Sequence, residues 1–287
     1  MGRAPIPGER AKGKDAVRSV CVAIAFVGAL TSAPLSLAAP LPPARSVEVE
    51  GSQFRLVGAN GAPVPQEALS GTILTLGDGS GRRRAIRIDA VVRDSADPAG
   101  EIMLYTMSEE DPATHEWRNI CRPDREGRRV GFPLAGAFAP DMRHVDAPGR
   151  FLITCSGGAE GKCVRFGYKP WGRAPDGSSL EPYYQTCVRA VRADYCGDGV
   201  GHTRDGTPID IFDRIGVQRD EVAPGITFEA AFGPDGATCV AHPRLPEDAS
   251  LERLIALCPR LAAASGERCN EQAPGLIFIR SFGSTGR

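Results

Sequence analysis

SSLEPYYQTCVRAVRADYCGDG, residues 178–199, is the stretch that decides how the chain folds. Leu180, Tyr183, Tyr184, Cys187, Val188, Val191 and Tyr195 stand at offsets 0, 3, 4, 7, 8, 11 and 15, which makes one apolar stripe at the period of an α-helix. The spacing predicts a helix over 178–195. Ser178 and Glu181 fit a capping box, Pro182 is tolerated in the first turn, and Gly197 is placed to stop the helix. Cys187 lies on the stripe. Cys196 comes nine residues later, half a turn round and about 13.5 Å along the axis. Bridged cysteines need Cα atoms within about 7 Å. Cys187 and Cys196 are therefore expected not to pair with each other, and each should staple the helix to a different element.

The other cysteines set the compartment. Of the nine, Cys21 sits in an N-terminal leader and eight follow it: Cys121, Cys155, Cys163, Cys187, Cys196, Cys239, Cys258 and Cys269. The leader has a basic start (Arg3, Arg10, Lys12, Lys14, Arg18), then the apolar run 20–30, then the small-x-small triplet Ser36-Leu37-Ala38. That order is a Sec-type signal peptide over 1–38, with cleavage after Ala38 or Ala39. A membrane anchor is the alternative. A span needs about 20 apolar residues, and Thr31, Ser32 and Pro34 interrupt this one. An even cysteine count behind an export signal reads as a disulfide framework. No Cys-x-x-Cys pair and no His pair at ligand spacing supports zinc. Cys258 and Cys269, flanking a short turn after a helix, are the expected pair.

Outward from the helix, 39–46 is a Pro-rich linker and 47–121 reads as β. Ile73, Leu74 and Leu76 lead into a Gly-Asp-Gly-Ser-Gly turn, and Ile86, Ile88, Ala90 and Val92 alternate with polar residues beyond it. Residues 122–149 read as an irregular connection, and 151–153 resume a strand. A second helix is expected over 250–258 and a last short strand over 276–279. With 34 glycines and 24 prolines, about a fifth of the chain is turn-forming against an average of roughly 12%. The chain is loop-rich, while 42% apolar and 24% charged residues support a packed core. The fold class is α+β: a β-rich N-terminal part, a disulfide-stapled domain over 122–245 around one central amphipathic helix, and a C-terminal helix and strand over 246–287. Formal charge is −1, so there is no bulk pull toward nucleic acid. No membrane span remains after cleavage of the signal.

One family resemblance stands out. Lys162-Cys163-Val164, Gly167-Tyr168-Lys169-Pro170-Trp171, the run 193–199 (Ala-Asp-Tyr-Cys-Gly-Asp-Gly), His202-Thr203-Arg204, the run 206–210 (Gly-Thr-Pro-Ile-Asp) and the run 228–232 (Phe-Glu-Ala-Ala-Phe) resemble the ADYC-domain proteins. The likeness is dense over 154–240 and weaker upstream. It implies an exported bacterial protein and no particular reaction.

The segment with most chemistry is 194–213, where Asp194, Asp198, Asp205, Asp210 and Asp213 surround His202. A histidine among carboxylates can act as a general base with one aspartate fixing its tautomer. The candidates are His202, Asp194, Asp198 and Asp205, and none of them is assigned as catalytic. The structural alternative has Asp194 accepting backbone N–H bonds from the Gly-rich loop, with Asp198-Gly199 and Asp205-Gly206 as turns. Calcium is a weaker reading, because the spacing departs from the twelve-residue loop. No Gly-x-Ser-x-Gly elbow occurs, and 157–161 lacks a phosphate grip. Tyr168, Trp171, Tyr183 and Tyr184 are a candidate groove for carbohydrate or peptide, though the helix stripe already accounts for the last two. No cofactor or metal is expected. The leading expectation is a non-enzymatic module that binds an envelope or extracellular ligand; the alternative is an exported hydrolase centred on His202.

Overall fold

The computed structural model describes residues 47–58, 61–77, 80–246 and 250–282. The leader over 1–38 with Cys21, the linker over 39–46, and Asp78 and Gly79 of the expected hairpin turn lie outside the described residues. Alternating patterns build β1 (Val47–Glu50), β2 (Gln53–Leu56), β3 (Ile73–Gly77), β4 (Arg83–Arg93), β5 (Met103–Glu110) and β6 (Trp117–Asn119). The expected hairpin pairs Ile73 with Arg87 and Leu76 with Arg84.

Residues 122–149, expected as irregular, contain three strands: β7 (Gly131–Ala135), β8 (Ala137–Phe138) and β9 (His144–Val145). Pro133 and Gly136 mask the alternation there. Proline sits in β7 where its missing N–H costs no ladder bond. At Gly136, with φ of +94°, a Cβ would stand 2.6 Å from the Val145 carbonyl oxygen. With β10 (Phe151–Cys155) the first sheet has the order β10-β7-β5-β4-β3, with β6 alongside β5, and every pairing is antiparallel. It mixes strands from both sides of residue 121.

Next come α1 (Ala159–Arg165), α2 (Glu181–Arg192), β11 (Ile209–Asp213), β12 (Ile226–Gly233), β13 (Gly236–Val240), α3 (Leu251–Leu257) and β14 (Ile277–Phe282). The last strands form a second sheet, β11-β14-β12-β13, against which α2 packs. Tyr184, Cys187, Val188 and Ala190 of α2 are fully buried there with Phe232, Ala237 and Ile279.

Helix α2 is shorter at both ends than its stripe. The capping box does not form, because Ser178 Oγ donates to Asp176 Oδ1 (2.6 Å) in the preceding turn and Leu180 takes the N-cap position without a side-chain bond. The stop is Ala193, left-handed at φ 51°, four residues before Gly197. Its N–H returns to the Ala190 carbonyl and that of Asp194 to Arg189. A non-glycine in this conformation costs about 1–2 kcal/mol, and the bonds made by Asp194 offset it. Helix α3 starts as its sequence indicates, with Ser250 Oγ accepting from Arg253 N–H at 3.2 Å.

Four disulfides join Cys121–Cys155, Cys163–Cys187, Cys196–Cys258 and Cys239–Cys269, with Cα separations of 5.5 to 5.7 Å. The expected Cys258–Cys269 bridge is corrected. Nearness in sequence misleads, because the two thiols join different apolar clusters. Cys258 lies in the main core beside Leu254 and Leu261, whereas Cys269 packs with Phe212, Ala231 and Phe278. A polar seam ties the turn between β4 and β5 to the segment after α1. Arg165 Nε meets Asp94 Oδ2 at 2.6 Å, and buried Lys169 meets Asp97 at 2.9 Å and Glu101 at 2.7 Å.

Candidate functional site

The run 193–196 forms the turn after α2, and each of its four residues makes a different structural contact. Ala193 ends the helix. Asp194, wholly buried, accepts from the N–H groups of Gly197 (2.9 Å) and Asp198 (3.2 Å) on Oδ1, and from Gly199 (3.0 Å) on Oδ2. Its fourth donor is Arg189 Nη1 at 2.5 Å, an ion pair in which both side chains are 0% exposed. A carboxylate has about four acceptor positions, and here all four are occupied. Gly197, at φ +74°, is required by closeness as well as by its turn, since a Cβ there would stand 2.0 Å from the Asp235 carbonyl oxygen.

Tyr195 points the other way, into a second buried network. Its hydroxyl donates to Glu229 Oε1 (2.9 Å) and accepts from the Arg244 N–H (2.8 Å). Arg244 grips both Glu229 oxygens at 2.9 Å and reaches the Ala190 and Val191 carbonyls. Burial holds the Tyr195 phenol well above its ordinary pKa, helped by the Glu229 charge. Arg244 stays a cation, because Glu229 outweighs the burial that would lower it. Cys196 completes the run through its bridge to Cys258.

His202, the candidate base, is half-buried and stacks on Tyr195 with ring centroids 5.8 Å apart. Its backbone N–H donates to the Arg192 carbonyl (3.0 Å). Among the described residues, no carboxylate forms a hydrogen bond or ion pair with its ring. Asp198 accepts from Val200 N–H in a turn (2.9 Å), and Asp205 is exposed in another. Asp213 collects four backbone N–H groups from 215–218 and the Tyr168 hydroxyl (2.7 Å). Asp210 stands beside Asp220, and burial with that neighbour raises its pKa. The structure thus disperses the expected constellation: Asp194 faces Arg189, Asp213 faces Tyr168, and His202 faces a ring. Among the described residues no group of His, Cys, Asp and Glu is placed to hold a metal ion.

The aromatic set does not form a groove. Tyr168 and Tyr183 stack on each other (6.4 Å), Tyr184 is fully buried, and Trp171 lies over Gly51, 3.2 Å from where a Cβ would be.

Sequence reading missed a polar row on α2: Glu181, Gln185 and Arg189, one turn apart. Gln185 binds the His144 N–H (2.6 Å) and the Met142 carbonyl (3.1 Å), and Arg189 Nη1 binds the Asp141 carbonyl. Together they clamp the β8–β9 hairpin to the helix. His144 lies against Phe138 and Tyr184 and offers Nδ1 to Glu181 (3.2 Å) and Nε2 to the Ala135 carbonyl (2.9 Å). Burial alone would lower its pKa, but these two acceptors raise it. The i, i+4, i+8 spacing of the row was the available signal, as was Glu229 inside the apolar run 228–232. Between this hairpin and β10 lies a cleft of about 380 Å³, edged by Phe138, Met142 and Glu160.

The sequence profile of one family, described as the ADYC domain, matches residues 66–246, more than half of the chain. No curated protein and no solved structure matches it.

Proposed function

The chain belongs to the ADYC domain family, and on that premise we propose that it is an exported, non-enzymatic binding or structural module of the bacterial envelope, organised around α2. The observation that carries this reading is the occupation of Asp194. With three backbone N–H groups and Arg189 on its oxygens, it has no acceptor position left to orient His202. A general base needs such a partner, or open access to a proton it can take. Here the most suggestive acid of the sequence holds a loop shut instead. Four disulfides favour an oxidising compartment. Among the described residues no helix is long and apolar enough to cross a membrane.

Expression with the native leader in a bacterial host tests the reading. The secreted fraction is expected to begin at Ala39 and to contain no free thiol under denaturing titration. A cytoplasmic full-length product with several free thiols overturns it. The alternative, a hydrolase using His202 with Asp194, Asp198 or Asp205, requires turnover of an ester, peptide or glycoside substrate that His202→Ala abolishes without lowering the melting temperature.

A further inference from the structure

Strand β10 is the outer strand of the first sheet. Its bonding to β7 is bracketed by Ser156 N–H on the Val130 carbonyl and Gly136 N–H on the Arg150 carbonyl, both 2.9 Å. Antiparallel ladders alternate bonded and non-bonded pairs. Leu152 and Thr154 therefore turn their backbone groups toward β7, while Phe151 and Ile153 turn theirs outward. The partner of Ile153 is Pro133, which has no N–H to give. Among the described residues nothing bonds the outward N–H and C=O groups of Phe151 and Ile153.

The cleft lies along this same edge. It touches four consecutive residues of β10, Leu152 to Cys155. Successive strand side chains point to opposite faces, so a cavity that meets four in a row follows the rim of the sheet. Its far wall is Phe138 and Met142, on the hairpin that α2 clamps through Gln185 and Arg189. Gly158 and Glu160 also line it, and Glu160 is the single charged residue among the described residues that do. Behind the Phe138 wall, the Tyr184 hydroxyl is buried without a hydrogen-bond partner.

We propose that the open edge of β10 and the cleft beside it bind an extended peptide segment by strand addition, with an apolar side chain in the cleft and a basic residue against Glu160. This deepens the reading of a binding module and rests on it. Outward donor and acceptor pairs on alternate residues match the backbone of an extended peptide. An acyl chain or a flat aromatic ligand would cover them without bonding them, at a cost for each group. The apolar walls select one side chain, and the carboxylate selects the sign of the charge beside it.

The test uses the purified oxidised protein and a synthetic array of heptapeptides. Leu or Val alternates with Thr, and one Arg is moved through each position; a matched array carries Glu in place of Arg. The best binder is then N-methylated on alternate amides in either register. Arg peptides are expected to bind and Glu peptides to bind at least tenfold more weakly, with Glu160→Gln removing that difference. Methylation in one register should weaken binding about tenfold or more, and in the other hardly at all. The Phe151 and Ile153 amides should gain protection from hydrogen exchange. The proposal falls if no array member binds, if both registers lose equally, or if protection appears on β3 instead. Concentration-dependent self-association that shields the same two amides would assign the edge to a second copy and also overturn it. Failure here leaves the Ala39 start and the thiol titration unaffected, so it is distinguishable from failure of the export reading. Cleavage of a bound peptide would leave strand addition standing and refute only the non-enzymatic reading.

Discussion

In the turn after α2, Asp194 has a donor for every acceptor position, and Tyr195, Glu229 and Arg244 complete one another's bonds away from water. Along β10, two N–H and two C=O groups of Phe151 and Ile153 meet no partner among the described residues, beside an apolar cleft. The two regions use backbone polarity in opposite ways. In the first, protein supplies a donor for every acceptor position of Asp194, although Arg189 Nη2 is buried without a hydrogen-bond partner. In the second, bonding capacity is kept at the surface, where a partner can use it. In this molecule the most suggestive acid of the sequence, Asp194, is the one whose acceptor positions are already taken.

The contrast can be broken most severely by reduction. The four bridges span 24 to 62 residues, and loops of that size contribute about 3–4 kcal/mol each in the chain-entropy account. Their sum matches a typical domain's whole stability. Thermal unfolding in dithiothreitol should lose its cooperative transition, and an unchanged midpoint would mean that the packing alone holds the braced region.

Next in size is Glu229→Gln. It leaves the buried Arg244 cation without its counter-charge, at about 3–5 kcal/mol, which calorimetry would read as a midpoint lowered on the order of 10 °C. Asp194→Asn should cost about 3 kcal/mol for the same reason at Arg189, and should also speed hydrogen exchange at Gly197 and Gly199. If either variant melts like the parent, the turn is not braced in the way described.

The edge gives a gentler test. Amides of Phe151 and Ile153 should exchange near the rate of unprotected peptide, whereas Leu152 and Thr154 should be protected. Uniform protection along β10 would erase the comparison.

The smallest effect is expected at His144, beside Glu181, Asp146 and the Ala135 carbonyl. Its folded pKa lies above the ordinary value near 6.5. The stabilisation it contributes is complete below that pH and is lost as pH rises through the raised folded value. Melting midpoints of parent and His144→Asn should therefore differ more at pH 5.5 than at pH 8.5; an equal difference at both would mean the imidazolium adds nothing.

How much of this the sequence disclosed follows from the range of each interaction. The α2 stripe and the β3–β4 hairpin are local periodicities, and both are visible in the composition of a few turns. The ends of α2 are not, because Asp194 bends the chain by bonding residues 197–199, a competition that a capping rule for Ser178 and Gly197 does not weigh. Strand β7 is obscured by Pro133 and its flanking glycines. The bridge partners of Cys258 and Cys269 depend on which cluster each thiol joins, and those partners lie 62 and 30 residues away. Among the candidate site residues, Asp194 was legible, whereas the polar row that contains Arg189 marks a face of α2 without naming Asp194 as the partner. The β10 edge carries no residue signature at all; it exists because, among the described residues, no other strand pairs there.

The seam at Lys169 has a practical consequence. Beyond residue 38 the chain has only two lysines, Lys162 and Lys169, and the second is 8% exposed and held between Asp97 and Glu101. In a chain cleaved after Ala38, an amine-directed label should therefore reach one lysine, Lys162, besides the α-amino group, as long as the turn between β4 and β5 stays docked. Appearance of an adduct on Lys169 itself would time the parting of that turn from the helical segment, giving a chemical clock for opening that needs no engineered reporter.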